Sequence, residues 1–422
     1  MMIAVERKAG PESFGYGRPR GPRVLQMVTR ADLGGAQVHV LDLLRGFRDD
    51  FDMVLATGEE GYCTEQARAL GIECHLLPGL VQRIDPLCDL KALASAVRAI
   101  RKIRPDLVHC HTTKAGLIGR LAARVLNVPA IYTVHTWCFT EGTSRSWRAF
   151  GLPSETLAAR WARRIITVSE ANRMAAISKR VAHPDKFVTV HNGVEDCSAR
   201  AQPGAGSTPR IVMVARFVTQ KNQALLIEAV ARIGSPLILT LVGDGPLRQQ
   251  AVEAAAACPP HIKVEFLGQR QDVAEILAAS NLFVLSTNWE GFPISILEAM
   301  RAGLPVIAAD VDGVREAVTH GDNGMLVRVR DRDGLTEAIR RLIADPALRE
   351  RMGARGRIAY EERFSIGAML RKTSSVYETT LKRTLTQSRN QPFHAPFDWR
   401  PAGGPCVERA PKEGLLWTKH QP

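Results

Sequence analysis

Short apolar runs and amphipathic stretches alternate along most of the chain. The apolar runs, such as RVLQMVT, LVHCH and RIITVS, are rich in Val and Ile and end at small or polar residues. The stretches between them, such as DLKALASAVRAIRKI, repeat apolar residues at i, i+3, i+4 and i+7, which is typical of an amphipathic helix. Strands that are apolar on both faces and alternate with helices indicate a parallel sheet covered by helices on both sides.

The alternation of apolar runs and amphipathic stretches is interrupted once and then resumes, which divides the chain into two parts. The interruption, CSARAQPGAGST at residues 197–208, has the composition of a linker. We therefore predict an α/β protein with two Rossmann-like doubly wound domains that face a cleft, since such sheets bind ligands outside the carboxyl ends of their strands. The predicted units are, in chain order, a disordered tail (1–22), an N-terminal Rossmann-like domain (23–196), a C-terminal Rossmann-like domain (205–364), one further helix (365–385) and a second disordered tail (386–422).

Composition narrows the class of protein further. The net charge of +13 is compatible with an anionic partner, but no basic stripe with interleaved aromatic residues is present, so we expect no nucleic-acid partner. The eight cysteines show neither a C-x-x-C motif nor zinc-ligand spacing, which favours a reducing compartment, the cytoplasm. No apolar run is long enough to span a bilayer, so any membrane contact should be peripheral.

The strongest local signal is the segment STNWEGFPISILEAMRAGLPVIAAD, residues 286–310. It predicts a strand end, a polar turn and a helix that accepts Pro293 in its first turn and ends at Gly303. The free amides and the positive dipole of such a helix start suit a phosphate. Glu290 lies in the turn, and Glu298 lies one turn inside the helix, near enough to reach ribose hydroxyls. Taken alone, the two carboxylates are equally well interpreted as solvated surface groups.

Two further strand ends carry candidate phosphate ligands. In VARFVTQKN, Arg216 and Lys221 follow a strand, where two cations can neutralise a diphosphate, although solvated surface cations are the alternative. In TRADLGGAQ, Gly34 and Gly35 allow the backbone to approach a phosphate or a sugar closely. These glycines lack the G-x-G-x-x-G spacing, so a nicotinamide dinucleotide site is not supported.

Three histidines, His109, His111 and His135, stand at predicted strand ends of the first half. Neither carboxylates nor cysteines stand at a spacing that would complete a metal site with them, so we predict no metal. A structural role in the core is the leading interpretation of the three side chains. A substrate contact is the alternative for His135.

A series of short motifs follows in order along both halves. These are LGGAQ (33–37), HCHTTKAGLIGRLAAR (109–124), YTVHTW (132–137), IITVSE (165–170), HNGVE (191–195), ARFVTQKN (215–222), LVGDGPL (241–247) and EGFPISILEAMRAGLPVIA (290–308). As an ordered set they resemble the retaining family-4 glycosyltransferases of the two-Rossmann GT-B fold. The resemblance covers roughly residues 23–383, and the set is highly specific although each motif alone is not.

The resemblance implies a role for each domain and for each candidate residue. The second domain would bind a UDP- or GDP-linked sugar, the first domain would take the acceptor, and the last helix would cross back onto the first domain. The residues expected to act in catalysis are Glu290, His135, Arg216 and Lys221, with neither a metal nor a further cofactor. The implied donor contacts are Arg216 and Lys221 at the diphosphate, Gly34 and Gly35 near the phosphate, Glu298 at the ribose, Glu290 with Gly291, Phe292, Pro293 and Ile294 around the sugar, His135 beside the sugar, and Gln269 and Arg270 at the base.

The acceptor and the reaction also follow from the resemblance. The H-T-x-K-A-G and V-H-T motifs look like those of transferases that build bacterial surface polysaccharide on a polyprenyl diphosphate carrier. The implied reaction moves a hexose-type sugar with retention of configuration, without a metal, and the departing phosphate helps to deprotonate the acceptor. Two departures from the family pattern, His191 in place of the usual Pro and Gln37 in place of a frequent Glu, bear on the acceptor more than on the donor.

Some interpretations stay open at this point. Residues 144–164 form a candidate contact with an anionic membrane surface through Trp147 and Phe150, and ordinary helix packing by Leu157 and Trp161 is an equal alternative. With that contact, the protein would be cytoplasmic and peripheral on the inner face of the membrane. A sugar-nucleotide epimerase of similar fold and a non-catalytic GT-B partner subunit are the alternatives to a transferase.

Overall fold

The computed structural model describes residues 21–140, 143 and 145–386, and for residues 145–148 and 383–386 it describes the backbone alone. The disordered tails predicted from the sequence lie outside these residues, apart from Gly21, Pro22 and Thr386.

The first domain is a parallel seven-stranded sheet with helices on both faces. Its strand order is β3-β2-β1-β4-β5-β6-β7. The strands are β1 (Arg23–Val28), β2 (Asp52–Thr57), β3 (Glu73–Leu76), β4 (Leu107–His111), β5 (Ala130–Val134), β6 (Arg164–Thr167) and β7 (Phe187–Thr189). The helices are α1 (Gly35–Phe47), α2 (Tyr62–Ala69), α3 (Pro86–Ile103), α4 (Thr113–Val125), α5 (Arg145–Ala159) and α6 (Glu170–Ser178), followed by a 3₁₀ turn (Pro184–Lys186).

The second domain repeats this architecture around a parallel six-stranded sheet. Its order is β10-β9-β8-β11-β12-β13, which is the doubly wound arrangement whose order reverses beside the first strand. The strands are β8 (Arg210–Val214), β9 (Leu237–Val242), β10 (Ile262–Gly268), β11 (Leu282–Leu285), β12 (Val306–Ala309) and β13 (Gly324–Val327). The helices are α7 (Gln223–Val230), α8 (Arg248–Ala255), α9 (Val273–Ala278), α10 (Ile294–Ala302), α11 (Asp312–Arg315), α12 (Arg332–Ala344) and α13 (Pro346–Arg363), and a last helix, α14 (Ile366–Thr386), follows. The predicted fold class, two Rossmann-like domains, is confirmed.

The central strands are the most deeply buried, and the outer strands differ among themselves. Strands β4, β5, β11 and β12 are buried along their whole length, as their unbroken apolar sequences predict. The outer strands β3 and β10 are half-exposed, whereas β13, at the opposite edge of the second sheet, is almost wholly buried. Burial on both faces, expected for every strand, is therefore wrong for these two.

Helix α14 leaves the second domain and packs against the first. Its apolar side chains Met369, Leu370 and Tyr377 belong to the same buried cluster as strand β1 and helix α1. The ring of Tyr377 lies 5.3 Å from the ring of Phe47 and 5.5 Å from that of Phe51. The last helix thus joins the two domains by burying apolar area against the first sheet.

Candidate functional site

Two helix N-termini, one from each domain, face each other across the cleft. Helix α1 begins at Gly35, where a Cβ atom would lie 3.9 Å from Cδ1 of Ile294, the first residue of α10. Helix α10 follows Pro293 and ends at Gly303, whose φ of 81° is left-handed. Neither helix start has a side-chain cap in the part of the chain that the structure describes, and each carries a positive dipole end, so a position beside both starts favours an anion.

The turn before α10 lies against the first domain through its backbone. A Cβ atom on Gly291 would fall 1.7 Å from the carbonyl oxygen of His135 and 3.0 Å from Oγ1 of Thr136. A Cβ atom on Gly313 would fall 1.8 Å from the carbonyl oxygen of Gly291. These approaches require glycine, and they bring the predicted sugar-binding turn next to His135.

Glu290 and Lys221 form one ion pair. The ammonium of Lys221 donates to Oε1 of Glu290, and the two side chains are 18% and 7% exposed. Gln220 supports the same turn, since its amide donates to the carbonyl oxygen of Trp289 at 2.7 Å. The sequence assigned Lys221 to the diphosphate and Glu290 to the sugar separately, whereas the structure brings both groups to one point.

Arg216 reaches across the cleft to the first domain. Its Nη1 lies 3.3 Å from Oδ2 of Asp32, a carboxylate that also pairs with Arg30 at 3.0 Å. The guanidinium of Arg216 is half-exposed, so an anionic ligand in the cleft can compete with Asp32 for it.

Glu298 lies deeper in the interface, among other carboxylates. Burial raises the pKa of Glu298, and Arg301 opposes this shift. On the facing helix α1, burial raises the pKa of Asp42 to about 7 against the effect of Arg45, and the charges of Glu195 and Glu298 raise it further. Glu298 therefore stands where a neutral hydrogen-bonding partner, such as a ribose hydroxyl, is preferred to another anion.

The other residues predicted to contact the donor differ in the solvent exposure of their side chains. Phe292 is buried, with its ring 4.8 Å from that of His191 and 5.4 Å from that of Phe364. Its side chain is therefore packed into the domain junction. At the end of β10, Gln269 and Arg270 are exposed, and Arg270 pairs with Asp272 at 2.5 Å.

The histidines form a hydrogen-bonded cluster that the sequence showed only in part. His109 and His111 are fully buried in β4, and Nδ1 of His111 lies 3.3 Å from Nε2 of His135. His39 of α1, which sequence reasoning missed, stands edge-on to His135 at 5.0 Å. Burial lowers the pKa of all four imidazoles, that of His39 to about 4, so the rings are neutral at physiological pH. Among the residues that the structure describes, no group of three or more His, Cys, Asp or Glu is arranged to hold a metal ion.

Asn192 is a second residue that sequence reasoning missed. Its Nδ2 donates to the carbonyl oxygen of Phe292 at 2.8 Å, and its Oδ1 lies 3.0 Å from Nδ1 of His39. One side-chain amide thus ties the turn before α10 to helix α1. The HNGVE motif at 191–195 contains this Asn and is the sequence signal that points to it.

The segment predicted to contact a membrane is described only in part. The side chain of Trp147 is among those that lie outside the description. On α5, Phe150 is 66% and Leu157 is 47% exposed, whereas Trp161 is half-buried. The exposed side chains are compatible with a membrane contact, and the half-buried Trp161 is compatible with helix packing, so both interpretations of this segment stay open. No helix in the described part of the chain is both long and apolar enough to cross a membrane.

Comparison with known families gives the class of the protein. Residues 33–196 match the model described as Glycosyltransferase Family 4, and residues 198–359 match the model described as Glycosyl transferases group 1. Together the two matches span most of both domains and include Lys221, Glu290 and Glu298. The chain belongs to the family-4 glycosyltransferases of the GT-B fold.

Individual relatives agree with this class, and a solved structure shares the fold. The chain is 28% identical over 351 residues to the UDP-Gal:alpha-D-GlcNAc-diphosphoundecaprenol alpha-1,3-galactosyltransferase of Escherichia coli. The aligned region covers 76% of this chain and 90% of that protein. It is 28% identical over 373 residues to the capsular polysaccharide biosynthesis glycosyltransferase CapM of Staphylococcus aureus, with 82% and 93% covered. Anabaena HepE, solved in complex with UDP and glucose, shares the fold with a TM-score of 0.72 at 22% identity, covering 85% of this chain and all of that one.

Proposed function

We propose that this glycosyltransferase moves a hexose-type sugar from a UDP- or GDP-linked donor to a glycan carried on a polyprenyl diphosphate, in the biosynthesis of a surface polysaccharide. The observation that carries the proposal is the cleft itself, where the Lys221–Glu290 pair lies beside two facing helix N-termini. Cations and helix dipoles suit a diphosphate, and a carboxylate beside them suits sugar hydroxyls. The names of the Escherichia coli and Staphylococcus aureus relatives support the lipid-linked and polysaccharide parts.

The proposed reaction retains the configuration of the donor sugar. The acceptor hydroxyl oxygen forms a bond to the anomeric carbon while the bond from that carbon to the diphosphate breaks. The proton of the hydroxyl passes to an oxygen of the departing phosphate, and Arg216 and Lys221 neutralise the charge left there. Glu290 is held by Lys221, which supports a role in binding a sugar hydroxyl rather than in attacking the anomeric carbon.

The test is a transfer assay with a panel of UDP- and GDP-sugars and a membrane lipid extract, read by mass spectrometry of the lipids. We expect one donor to add a single hexose mass to a lipid, and Glu290→Gln and Lys221→Ala each to reduce this transfer by about 100-fold or more. The matched controls are Glu337→Gln and Lys263→Ala, each 69% exposed in the second domain, which should keep full activity.

Other outcomes of the same assay separate the alternatives. An epimerase would change the sugar while leaving it attached to the nucleotide diphosphate, and a non-catalytic subunit would consume no donor. Full activity of both Glu290→Gln and Lys221→Ala would show that the site is misplaced. We also propose that no metal is required, so turnover in excess EDTA should be undiminished, and a loss restored by Mn²⁺ would contradict this part.

The proposed place of action is the cytoplasmic face of a membrane, where a polyprenyl-linked acceptor is available. Helix α5 supports this with an exposed apolar stripe of Phe150, Pro153 and Leu157, which are spaced at i, i+3 and i+7. Two exposed arginines, Arg160 and Arg163, follow it and suit anionic headgroups.

A further inference from the structure

A continuous hydrogen-bonded chain runs from His135 in the cleft to helix α14. Nε2 of His135 lies 3.3 Å from Nδ1 of His111, and Nε2 of His111 lies 2.8 Å from Oε1 of Gln26. The other end of the Gln26 amide, Nε2, donates to the hydroxyl of Tyr377 at 2.8 Å. Gln26, His111 and Tyr377 are fully buried, so water does not complete these bonds and each polar atom depends on its neighbour.

The chain continues from Tyr377 to a second histidine. The Tyr377 hydroxyl lies 2.7 Å from Nδ1 of His109, and Nε2 of His109 lies 2.7 Å from Oγ1 of Thr133. Because the hydroxyl oxygen of Tyr377 accepts from Gln26, its own proton is free to go to Nδ1 of His109. His109 then donates from Nε2 to Thr133, and every partner in this buried row is satisfied.

The direction of these bonds determines which nitrogen of His135 carries the proton. The oxygen of an amide can only accept, so Nε2 of His111 must be its protonated nitrogen. The neutral His111 then offers a lone pair at Nδ1, to which Nε2–H of His135 donates. His135 is itself neutral, because burial and the neighbouring His39 lower its pKa. Its Nδ1 is therefore left as a hydrogen-bond acceptor.

We propose that Tyr377 is a positioning residue, which through Gln26 and His111 holds His135 in the Nε2–H tautomer, so that Nδ1 accepts a hydrogen bond from a hydroxyl of the substrate sugar. The inference rests on the proposed function for the sugar and on the structure for the tautomer. A helix that crosses over from the second domain thereby sets the hydrogen-bonding character of a first-domain side chain in the cleft. The site should therefore be specific for sugars with a free hydroxyl that can donate to Nδ1 of His135. A site built to accept a hydrogen bond discriminates strongly against a substrate that lacks the donor.

The tautomer can be tested without any substrate, by long-range ¹H–¹⁵N NMR of the histidine rings in the full-length protein. In the wild type we expect His135 to carry its proton on Nε2. Tyr377→Phe keeps the shape of the ring but removes the hydroxyl that anchors the Gln26 amide, so both tautomers of His135 should become populated. The matched control is Tyr360→Phe, a buried tyrosine near the domain junction whose hydroxyl donates to the carbonyl oxygen of Val194, and it should leave His135 unchanged. A wild-type His135 protonated on Nδ1, or a tautomer unaffected by Tyr377→Phe, would overturn the proposal.

The proposed effect of Tyr377 on sugar transfer is tested by kinetics with the donor found in the transfer assay. We expect Tyr377→Phe to lower kcat/KM by roughly tenfold, the effect of one hydrogen bond, with Tyr360→Phe near wild type. In protein that already carries His135→Ala, the Tyr377→Phe change should have no further effect, because its influence passes through His135. Independent, multiplicative losses would show a merely structural role for Tyr377 and contradict the proposal. If no donor is turned over by the wild type, the proposed function fails, while the NMR result still decides the tautomer.

Discussion

At Gly291 the backbones of the two domains meet without a side chain between them. The carbonyl oxygen of His135 occupies the space that a Cβ atom would need, at 1.7 Å. Because this atom belongs to backbone, it cannot move aside as the end of a flexible side chain can. The turn that carries Glu290 therefore reaches its place in the cleft only if position 291 has no side chain.

We predict that Gly291→Ala leaves both domains folded but prevents the turn from closing on His135. Transfer should fall by about 100-fold or more, since a displacement of about 1 Å in a positioning element has effects of that size. Binding of UDP or GDP should change less, because the ligand's predicted contacts at Arg216 and Glu298 are untouched. Transfer kinetics and calorimetric titration of the nucleotide measure the two effects.

The matched control for this change is Gly234→Ala. A Cβ atom at Gly234 meets nothing within 4 Å among the described residues, and transfer should stay near wild type. Equal loss in both variants, or full activity of Gly291→Ala, would contradict the assigned contact between the turn and His135.

At the scale of the elements, local periodicity was enough to predict the architecture. The runs RVLQMVT, LVHCH and RIITVS contain strands β1, β4 and β6, and Gly303 ends α10 as predicted. The half-exposed outer strands β3 and β10 were not predicted, because their sequences say nothing about which strand has only one neighbour. Burial depends on the tertiary surroundings of each strand, which the pattern along the chain does not contain.

Candidate site residues could be chosen from the sequence only where they stand close to a strand end. Glu290, Lys221 and Gly35 could be chosen from the sequence, because a strand followed by a turn and a helix marks a ligand-binding edge. Asn192 and His39 could not, because their roles depend on contacts between residues 153 positions apart. The pairing of Lys221 with Glu290 was missed for the same reason, since it joins two different strand ends, 69 positions apart.

Helix α5 carries the next prediction. If the stripe of Phe150 and Leu157 contacts an anionic membrane, Phe150→Ser should weaken flotation with phosphatidylglycerol vesicles, because each buried apolar side chain contributes about 1.5–3 kcal/mol. The control is Ile358→Ser, which removes an apolar side chain 42% exposed on α13 of the second domain. Unchanged flotation of the Phe150→Ser protein would remove α5 as the membrane contact.

At the scale of the whole molecule, the carboxylate of Glu316 links the two domains. Glu316, just after α11, accepts hydrogen bonds at 2.8 Å from the backbone amides of Glu170 and Ala171, at the start of α6 in the first domain. His191, just after β7 of the first domain, lies 2.7 Å from the same carboxylate. A negative charge at a helix N-terminus is favourable, so this link stabilises the closed arrangement of the domains.

The link should depend on pH in a defined direction. His191 and the two amides of α6 lower the pKa of Glu316 below its ordinary value of 4.5, although burial opposes them. A carboxyl group whose pKa is lower in the closed state stabilises that state fully above 4.5, and the contribution is lost as the pH falls through the lowered value. Closure should therefore be complete at neutral pH and weaken only in acid.

We predict that Glu316→Gln opens the domains at neutral pH. The Gln side chain has no negative charge, and its NH₂ group would face a backbone N–H, which is also a donor. Two charge-assisted hydrogen bonds contribute about 1.5–3 kcal/mol each, so the radius of gyration from small-angle scattering at pH 7 should rise, while circular dichroism stays unchanged. The wild type should show the same expansion only on acidification, and the variant should show no further acid-linked change. The control Glu362→Gln alters an exposed carboxylate on α13 and should scatter like the wild type. A Glu316→Gln protein as compact as the wild type at pH 7 would mean that α14 and the contacts around Gly291 hold the domains together without this carboxylate.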